Sequence, residues 1–476
     1  MSPGGKAGQK DAATSRRLPR GPHALTREEV AANQQARIMS AMIELVGEQG
    51  YGPTTVAQVT ARAGVSRKAF YEHFANKEEC FLATYDSIVA EGFERVAGAA
   101  DEAGGLEEEL GFGLGVLFQR ANESPGVERL VLMEIAAIGR AGIERRERLI
   151  SAYEGMLREN LGARPRPGII PNPLLRAVVG GYLKVLNTRV QRGEQKQLPA
   201  LIPDLVRWSF TYYPLPDTID AVRELQPIGS PSGIVGGRAP GSLSPSSTSD
   251  RRRAAGRRTP TLSPSFVVHS QRERILDAIA QLSAESGYAN MTVNAIADRG
   301  AVSLQAFYEH FADKEDAFLV AYEIGHSKSL ALVERAHDAA PDWPSSVRAG
   351  ITTLLGFLAT EPAFAHMALV DALIATPRTA ERANKGIVQY LELLAPGFDE
   401  APAASKPPAV TLEAIAGGIF ELCLTYTLQG HISDLTELAP WVIYFALAPF
   451  VGPETAGQVA SEKPSAVDAR GRAREC

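Results

Sequence analysis

The chain has 476 residues, 45% of them apolar and 22% charged, a composition that suits two ordinary hydrophobic cores and excludes a fibrous or low-complexity polymer. A formal net charge of −6 excludes a nonspecific cationic coat for nucleic acid. Three cysteines, Cys80, Cys423 and Cys476, exclude a disulfide framework and fit a reduced cytoplasm, since Cys80 aligns with Ala317 and Cys423 with Leu186 in the repeat described below.

Residues 1–30 read as a disordered basic tail that contains Arg16, Arg17 and Arg20 and lacks the apolar run of a secretory signal. A first helix is predicted from Ile38, Met42, Leu45 and Val46, which share one face and stop at Gly50. Thr55 followed by Gln58 is a capping-box pattern that opens a short second helix. Ala63-Gly64-Val65 then makes a tight turn, Ser66 caps a third helix whose first turn holds Arg67 and Lys68, and Asn76 with Glu79 opens a fourth. Apolar spacing predicts further helices over 106–121, 126–139, 145–161, 173–193 and 198–213, followed by a Gly, Ser, Pro and Arg-rich linker over 217–267.

The pattern then starts again. Residues 37–86 laid on 274–323, an offset of 237 with no gap, are identical at 24 of 50 positions. The offset persists downstream: Gly180-Gly181 matches Gly417-Gly418, Gly193 matches Gly430, and Pro203 matches Pro440. A whole domain is therefore duplicated, and the period is far too long for a solenoid. The predicted order is a first head at 31–91 with its turn unit at 55–74, a first body at 92–216, the linker, a second head at 268–328 with its turn unit at 292–311, a second body at 329–452, and a disordered polar tail at 453–476. Both domains read as all-α. Apolar stretches such as 441–451 are shorter than a bilayer span, so no membrane segment is expected. Residues 1–90 carry 11 basic against 9 acidic side chains, so the negative charge lies mainly outside the first head.

A short helix, a glycine turn and a second short helix with cations in its first turn is the geometry that meets base edges in a major groove. Both copies carry the same signature, as Val65-Ser66 with Phe70-Tyr71-Glu72-His73-Phe74 and Lys77, and as Val302-Ser303 with Phe307-Tyr308-Glu309-His310-Phe311 and Lys314. These runs resemble the DNA-binding domain of TetR-family transcriptional regulators. The resemblance implies phosphate contacts from Thr55, Ser66, Tyr71, His73 and Lys77, and from Thr292, Ser303, Tyr308, His310 and Lys314. It implies base contacts from Arg67 and Lys68 in one head, and from Leu304 and Gln305 in the other. It also implies bodies that hold a small hydrophobic inducer and pair through their last two helices, 173–193 with 198–213 and 410–430 with 435–450.

Two differences separate the heads. The second turn reads Gly300-Ala301 where the first reads Ala63-Gly64, and Leu304-Gln305 replace Arg67-Lys68, which removes two positive charges. In the bodies, Glu134 and Asp371 occupy matching positions in apolar runs. Phe112, Phe118, Met133 and Glu134 in the first body, and Phe357, Met367 and Asp371 in the second, are the expected lining of an inducer pocket, the alternative for the two acids being a surface carboxylate or a structural pair with an arginine. No Walker A sequence, metalloprotease motif or nucleophile elbow occurs, so neither an enzyme nor a cofactor is expected. The reading is a ligand-released repressor that binds a double-stranded operator as a single-chain pseudo-dimer. The alternatives are a homodimer of two-headed chains, and a DNA-binding or partner-controlled assembly module that senses no small molecule.

Overall fold

A computed structural model describes residues 26–100, 106–162, 172–212, 215 and 264–462. Among these residues every regular element is helical. The first copy contains α1 (Arg27–Gln49), α2 (Val56–Ala63), α3 (Arg67–His73), α4 (Lys77–Ala100), α5 (Leu106–Glu123), α6 (Pro125–Leu132), α7 (Arg140–Gly162), α8 (Asn172–Gln191) and α9 (Leu198–Phe210). The second contains α10 (Pro264–Asn290), α11 (Val293–Arg299), α12 (Leu304–His310), α13 (Lys314–Asp338), α14 (Trp343–Thr360), α15 (Pro362–His366), α16 (Pro377–Glu392), α17 (Thr411–Leu428), α18 (Ala439–Val451) and α19 (Pro453–Ser461).

Each head has its own core. Ile38, Met42, Val46, Val59, Phe70, Phe74 and Phe81 close the first, and Ile275, Ile279, Ile296, Phe307, Phe311 and Phe318 close the second. The aromatic pairs four residues apart that begin on α3 and α12 are thus buried. They bring the short helices onto the long ones, since an isolated helix of seven residues is not stable in water.

The two bodies share a single core. Leu175, Val178, Tyr182 and Trp208 of the first copy pack in one cluster with Ile415, Leu422, Trp441, Tyr444 and Phe445 of the second. Tyr212 stacks on Phe445 with ring centroids 4.7 Å apart, and Trp208 meets the same ring edge-on at 5.8 Å. The centre of this core is the crossing of α8 and α17. A Cβ placed on Gly180 would lie 2.8 Å from the carbonyl oxygen of Gly417, and one on Gly418 would lie 2.5 Å from that of Ala177. Glycine costs about 1 kcal/mol in a helix interior, and direct contact between the two backbones offsets that cost.

Three expectations need correction. The run expected over 126–139 ends at Leu132 and continues as a 3₁₀ turn over Glu134–Ile138, while its counterpart becomes a π-helical turn over Met367–Asp371. The tail expected to be disordered from 453 begins with α19, because Ala456, Gly457 and Ala460 give that segment a buried small-residue face. Thr411–Leu428 and Ile432–Val451 do reach the length and mean hydropathy of a membrane span. Here 72% and 67% of those stretches are buried inside the protein, so the shared core accounts for their apolar character. The linker over 217–263 and the segments 1–25 and 463–476 lie outside the described residues.

The crossing sets up a paired test. Gly417→Val should lower unfolding stability by about 1–3 kcal/mol, since the new side chain meets Lys184 Cβ and the Gly180 backbone, neither of them the far end of a flexible group. Gly356→Ala, on α14 with open space around the new methyl, should be neutral or stabilising by up to about 1 kcal/mol. Denaturant melts of the two variants check both signs.

Candidate nucleic-acid interface and ligand cavity

The turn units form as their local chemistry dictates. Thr55 Oγ1 accepts from the backbone N–H of Gln58 at 3.3 Å while Gln58 Oε1 accepts from the N–H of Thr55 at 2.9 Å, closing the capping box at the start of α2. Gly64 takes the left-handed conformation at φ 62°, and Ser66 Oγ accepts from Ala69 N at 3.0 Å. The second head repeats this with Thr292 capping α11 and Ser303 capping α12, each accepting at 3.1 Å. Its turn places Ala301 at φ 49°, the one non-glycine residue with positive φ among those described.

An arginine that no sequence motif singles out lies behind each turn. Arg37 donates to the carbonyls of Ala63 and Gly64, the latter at 3.0 Å, and Arg274 donates to that of Ala301 at 3.2 Å. These carbonyls belong to helix ends that lack an intrahelical donor, so the guanidinium fixes the angle between the two short helices. The signal was present as an identical residue at offset 237, but its partners are backbone atoms, which no side-chain pattern displays.

Arg67, Lys68 and Tyr71 are exposed on one face of α3, with Tyr71 55% accessible and Lys68 only 3.9 Å from Glu72. Leu304, Gln305 and Tyr308 present the same face on α12, with Leu304 45% and Tyr308 58% accessible, and Gln305 donating to Glu309 at 3.0 Å. Thr55, Ser66, Thr292 and Ser303 are exposed beside these helices. His73 is half-buried with Nε2 3.4 Å from Gln34 Oε1, and His310 is likewise half-buried. Lys77 is held inside the head, where Nζ donates to Tyr51 O at 3.0 Å and sits 3.9 Å over the Tyr51 ring. Lys314 does the same with the carbonyls of Tyr288 and Met291, both at 3.0 Å. Burial lowers the pKa of both lysines.

The two heads flank one cleft of about 1940 Å³, lined by 47–53 from the first and 284–290 from the second. A separate, smaller cavity of about 160 Å³ lies inside the second body. Leu354, Leu355, Leu358, Phe364 and Val442 make it apolar, and Tyr322, His326, Ser329, His337 and Tyr390 give it one polar wall. His326 stacks on Tyr322 at 5.7 Å and lies 2.8 Å from Gln389 Oε1 through Nε2. Gly386 makes room here, since a Cβ on it would lie 2.8 Å from the Tyr322 hydroxyl. In the first body the matching positions hold Leu149 for Gly386 and Arg146 for Ala383, and Leu149 is buried. Both are larger than the glycine and alanine that line the cavity.

None of the residues expected to line an inducer pocket lines this cavity. Phe112 is 44% exposed, Phe118 is deep in the shared core, Phe357 packs edge-on against Phe364 at 5.6 Å, and Met367 belongs to the core of the second head. Met133, Glu134 and Asp371 edge the cleft between the copies. The two acids seal head to body. Glu134 accepts from Tyr51 N at 2.9 Å and from Arg129 Nε at 3.2 Å. Asp371 accepts from Tyr288 N at 3.0 Å and from Ser283 Oγ at 2.5 Å. The reason is the glycine break after the first helix of each head, which leaves an N–H without a helical partner that a carboxylate satisfies. Burial raises the Asp371 carboxyl above its ordinary pKa, against the lowering effect of those hydrogen bonds. No cluster of three or more metal-ligating side chains occurs among the described residues.

Two helix-turn-helix heads on a common helical base define a DNA-binding protein. The family profile described as bacterial regulatory proteins, tetR family, matches residues 38–84 and 275–321, the core of each head. Over 121 residues the chain is 22% identical to the fatty acid metabolism regulator protein of Bacillus subtilis, covering 25% of this chain and 61% of that one. It is 35% identical over 74 residues to the regulator CymR of Pseudomonas putida, covering 16% and 36%, so it spans less than two thirds of both relatives. An HTH-type transcriptional repressor of Mycobacterium tuberculosis is 27% identical over 187 residues, covering 38% of this chain and 94% of that one. Among solved structures, a FadR regulator from Bacillus halodurans aligns at 18% identity with a TM-score of 0.34, covering 37% and 94%. Each head therefore matches the DNA-binding domain of the bacterial tetR regulatory family, and the chain carries that domain in tandem.

Two measurements follow from this geometry. Ala301→Gly should stabilise the chain by about 1 kcal/mol by relieving the left-handed strain, and Gly64→Ala should destabilise it by about 1–2 kcal/mol. The second concerns His326, whose pKa burial holds below the ordinary histidine value. A depressed folded-state pKa contributes stability that is present above the unfolded value and is lost as pH falls through the folded one. Thermal melts at pH 7.5 and 5.5 should therefore show an acid-induced loss that is smaller in His326→Gln.

Proposed function

We propose that this chain is a transcriptional repressor that binds its operator as a single-chain pseudo-dimer and leaves it when a small hydrophobic ligand enters the second body. The observation that carries the reading is the single core formed by α8, α9, α17 and α18, with both heads flanking one cleft. Helix-turn-helix dimers present two heads to half-sites about 34–36 Å apart or a multiple of it. Here one chain supplies both. A protein that reads chromosomal DNA in a bacterium works in the cytoplasm.

The roles of the individual side chains follow their exposure. Arg67 and Lys68 meet bases in one half-site, and Leu304 and Gln305 meet them in the other. Thr55, Ser66 and Tyr71, with Thr292, Ser303 and Tyr308, hold the phosphates. Lys77, Lys314, His73 and His310 sit behind this surface and place the start of the fourth helix against the backbone. Arginine pairs most naturally with guanine, whereas glutamine pairs with adenine and leucine touches a thymine methyl, so the operator is asymmetric.

The ligand reading rests on the cavity in the second body. Its wall is mostly aliphatic with a few polar atoms from Tyr322, His326 and Tyr390, which suits an apolar molecule carrying one polar group. Phe364, Ala368 and Leu369 of this wall belong to the segment that ends at Asp371, the carboxylate that holds the second head. A ligand that prefers a shifted arrangement of this segment moves the population away from the DNA-binding state by its differential affinity.

Footprinting with head variants tests the DNA reading. Arg67→Ala should cost about 1–3 kcal/mol and relax specificity in one half-site, and Gln305→Ala should do so only in the other. Equal effects in both half-sites would contradict the assignment of one head to each.

A further inference from the structure

The seam between the two bodies has its charges divided by copy. Helix α8 carries Arg176, Lys184 and Arg189 and no acid, whereas α17 carries Glu413 and Glu421 and no base. Among the described residues, the charged contacts across the seam all run the same way. Arg146 of α7 reaches both carboxylate oxygens of Glu421, one of them at 3.0 Å. Arg189 holds both oxygens of Glu413 at 3.0 and 3.1 Å. Lys184 donates to Asn384 Oδ1 at 2.8 Å, and Arg176 donates to Thr425 Oγ1 at 2.9 Å. In each of these charged contacts the first body donates and the second accepts.

The repeat offset shows how this departs from a symmetric seam. Position 184 corresponds to 421, 176 to 413, 147 to 384 and 146 to 383, so Lys184 matches Glu421 and Arg176 matches Glu413. Two first bodies joined in the same way would set Arg146 against Lys184 and Arg189 against Arg176, each twice by symmetry. The one attraction gained, Lys184 with Glu147, would compete with Arg176, which already binds Glu147 at 2.7 Å. Two second bodies would leave Glu421, which is 3% exposed, facing Ala383 and Asn384 with no cation. A buried carboxylate without a partner is strongly disfavoured. The apolar helices and the glycine crossing, by contrast, are alike in both copies and would serve any of the three pairings.

We infer that this seam is an interaction surface coded for unlike pairing: its partner is the second body, and it rejects a like body from another copy of the chain. The inference rests on the single-chain reading for where that partner comes from, while the charge code stands on the contacts alone. Attractive groups select the unlike pair, and repulsive or unpaired groups exclude the like ones, the two components that specificity between similar partners requires. The linker adds a high effective concentration of the right partner.

The experiment uses the full chain. In Arg146→Glu with Arg189→Glu, the two cations that hold Glu421 and Glu413 become acids. In the four-fold swap, Glu421→Arg and Glu413→Arg are added and the pairs reform with reversed sign. The two-fold variant should melt roughly 5 °C or more below the parent and shift toward larger species in light scattering. The four-fold swap should recover most of both. A two-fold variant that melts and scatters as the parent does, or a four-fold swap no better than the two-fold variant, overturns the charge code. The mass of the unmodified chain decides the single-chain reading independently: 51.0 kDa supports it, and twice that mass counts against it.

Discussion

Two backbones in contact at the crossing of α8 and α17 are the constraint on which the rest of the molecule depends. Gly180, Gly181, Gly417 and Gly418 leave out the four Cβ atoms that would clash with the facing helix or the rings behind it. The close approach lets Trp208, Tyr212, Tyr444 and Phe445 interlock behind them in one core. Because this core has no boundary between the copies, neither body can bury its last two helices alone. The heads are carried by what the core fixes: each packs its own core against apolar side chains of its body, such as Leu130 and Ile135 or Met367 and Ala372, and is tied to it by one carboxylate, Glu134 or Asp371.

Duplication on such a frame frees the two copies to diverge. In a homodimer every substitution appears twice, so a charge placed on one side of the two-fold axis is repeated on the other. In a tandem chain it appears once. The divided charges of the seam, the unequal first turns of α3 and α12, and the cavity opened by Gly386 and Ala383 where the first copy has Leu149 and Arg146 are all differences of this kind. Arg146 connects two of them, since the side chain that occupies the cavity position in the first body is also the one that reaches Glu421 across the seam. The exposed cation pair Arg67 and Lys68 belongs to the first copy, and the cavity between α13, α14 and α16 belongs to the second.

The heads were legible in the sequence because their determinants are local. A capping residue, its partner three positions on, and a glycine at a left-handed turn act within a few residues, and each produced the expected geometry. The repeat offset also revealed the glycine pairs, whose mid-helix cost implied a close neighbour. What stayed hidden depends on partners far along the chain. The Arg37 clamp acts on backbone carbonyls. Glu134 and Asp371 stand in apolar runs and read either as pocket anchors or as structural carboxylates, and the N–H groups they answer lie 83 residues away. The cavity arises from small residues on α16 meeting large ones on α13 and α14, a complementarity of volumes that periodicity cannot reveal. Hydropathy likewise could not separate a membrane span from a helix buried in protein, which is what α17 is.

The stoichiometry of the operator complex tests the central claim most directly. Native mass spectrometry of the protein on a DNA duplex that carries both half-sites should give one chain of 51.0 kDa per duplex, with both half-sites protected in the matching footprint. Two chains per duplex, each protecting one half-site, would contradict the account.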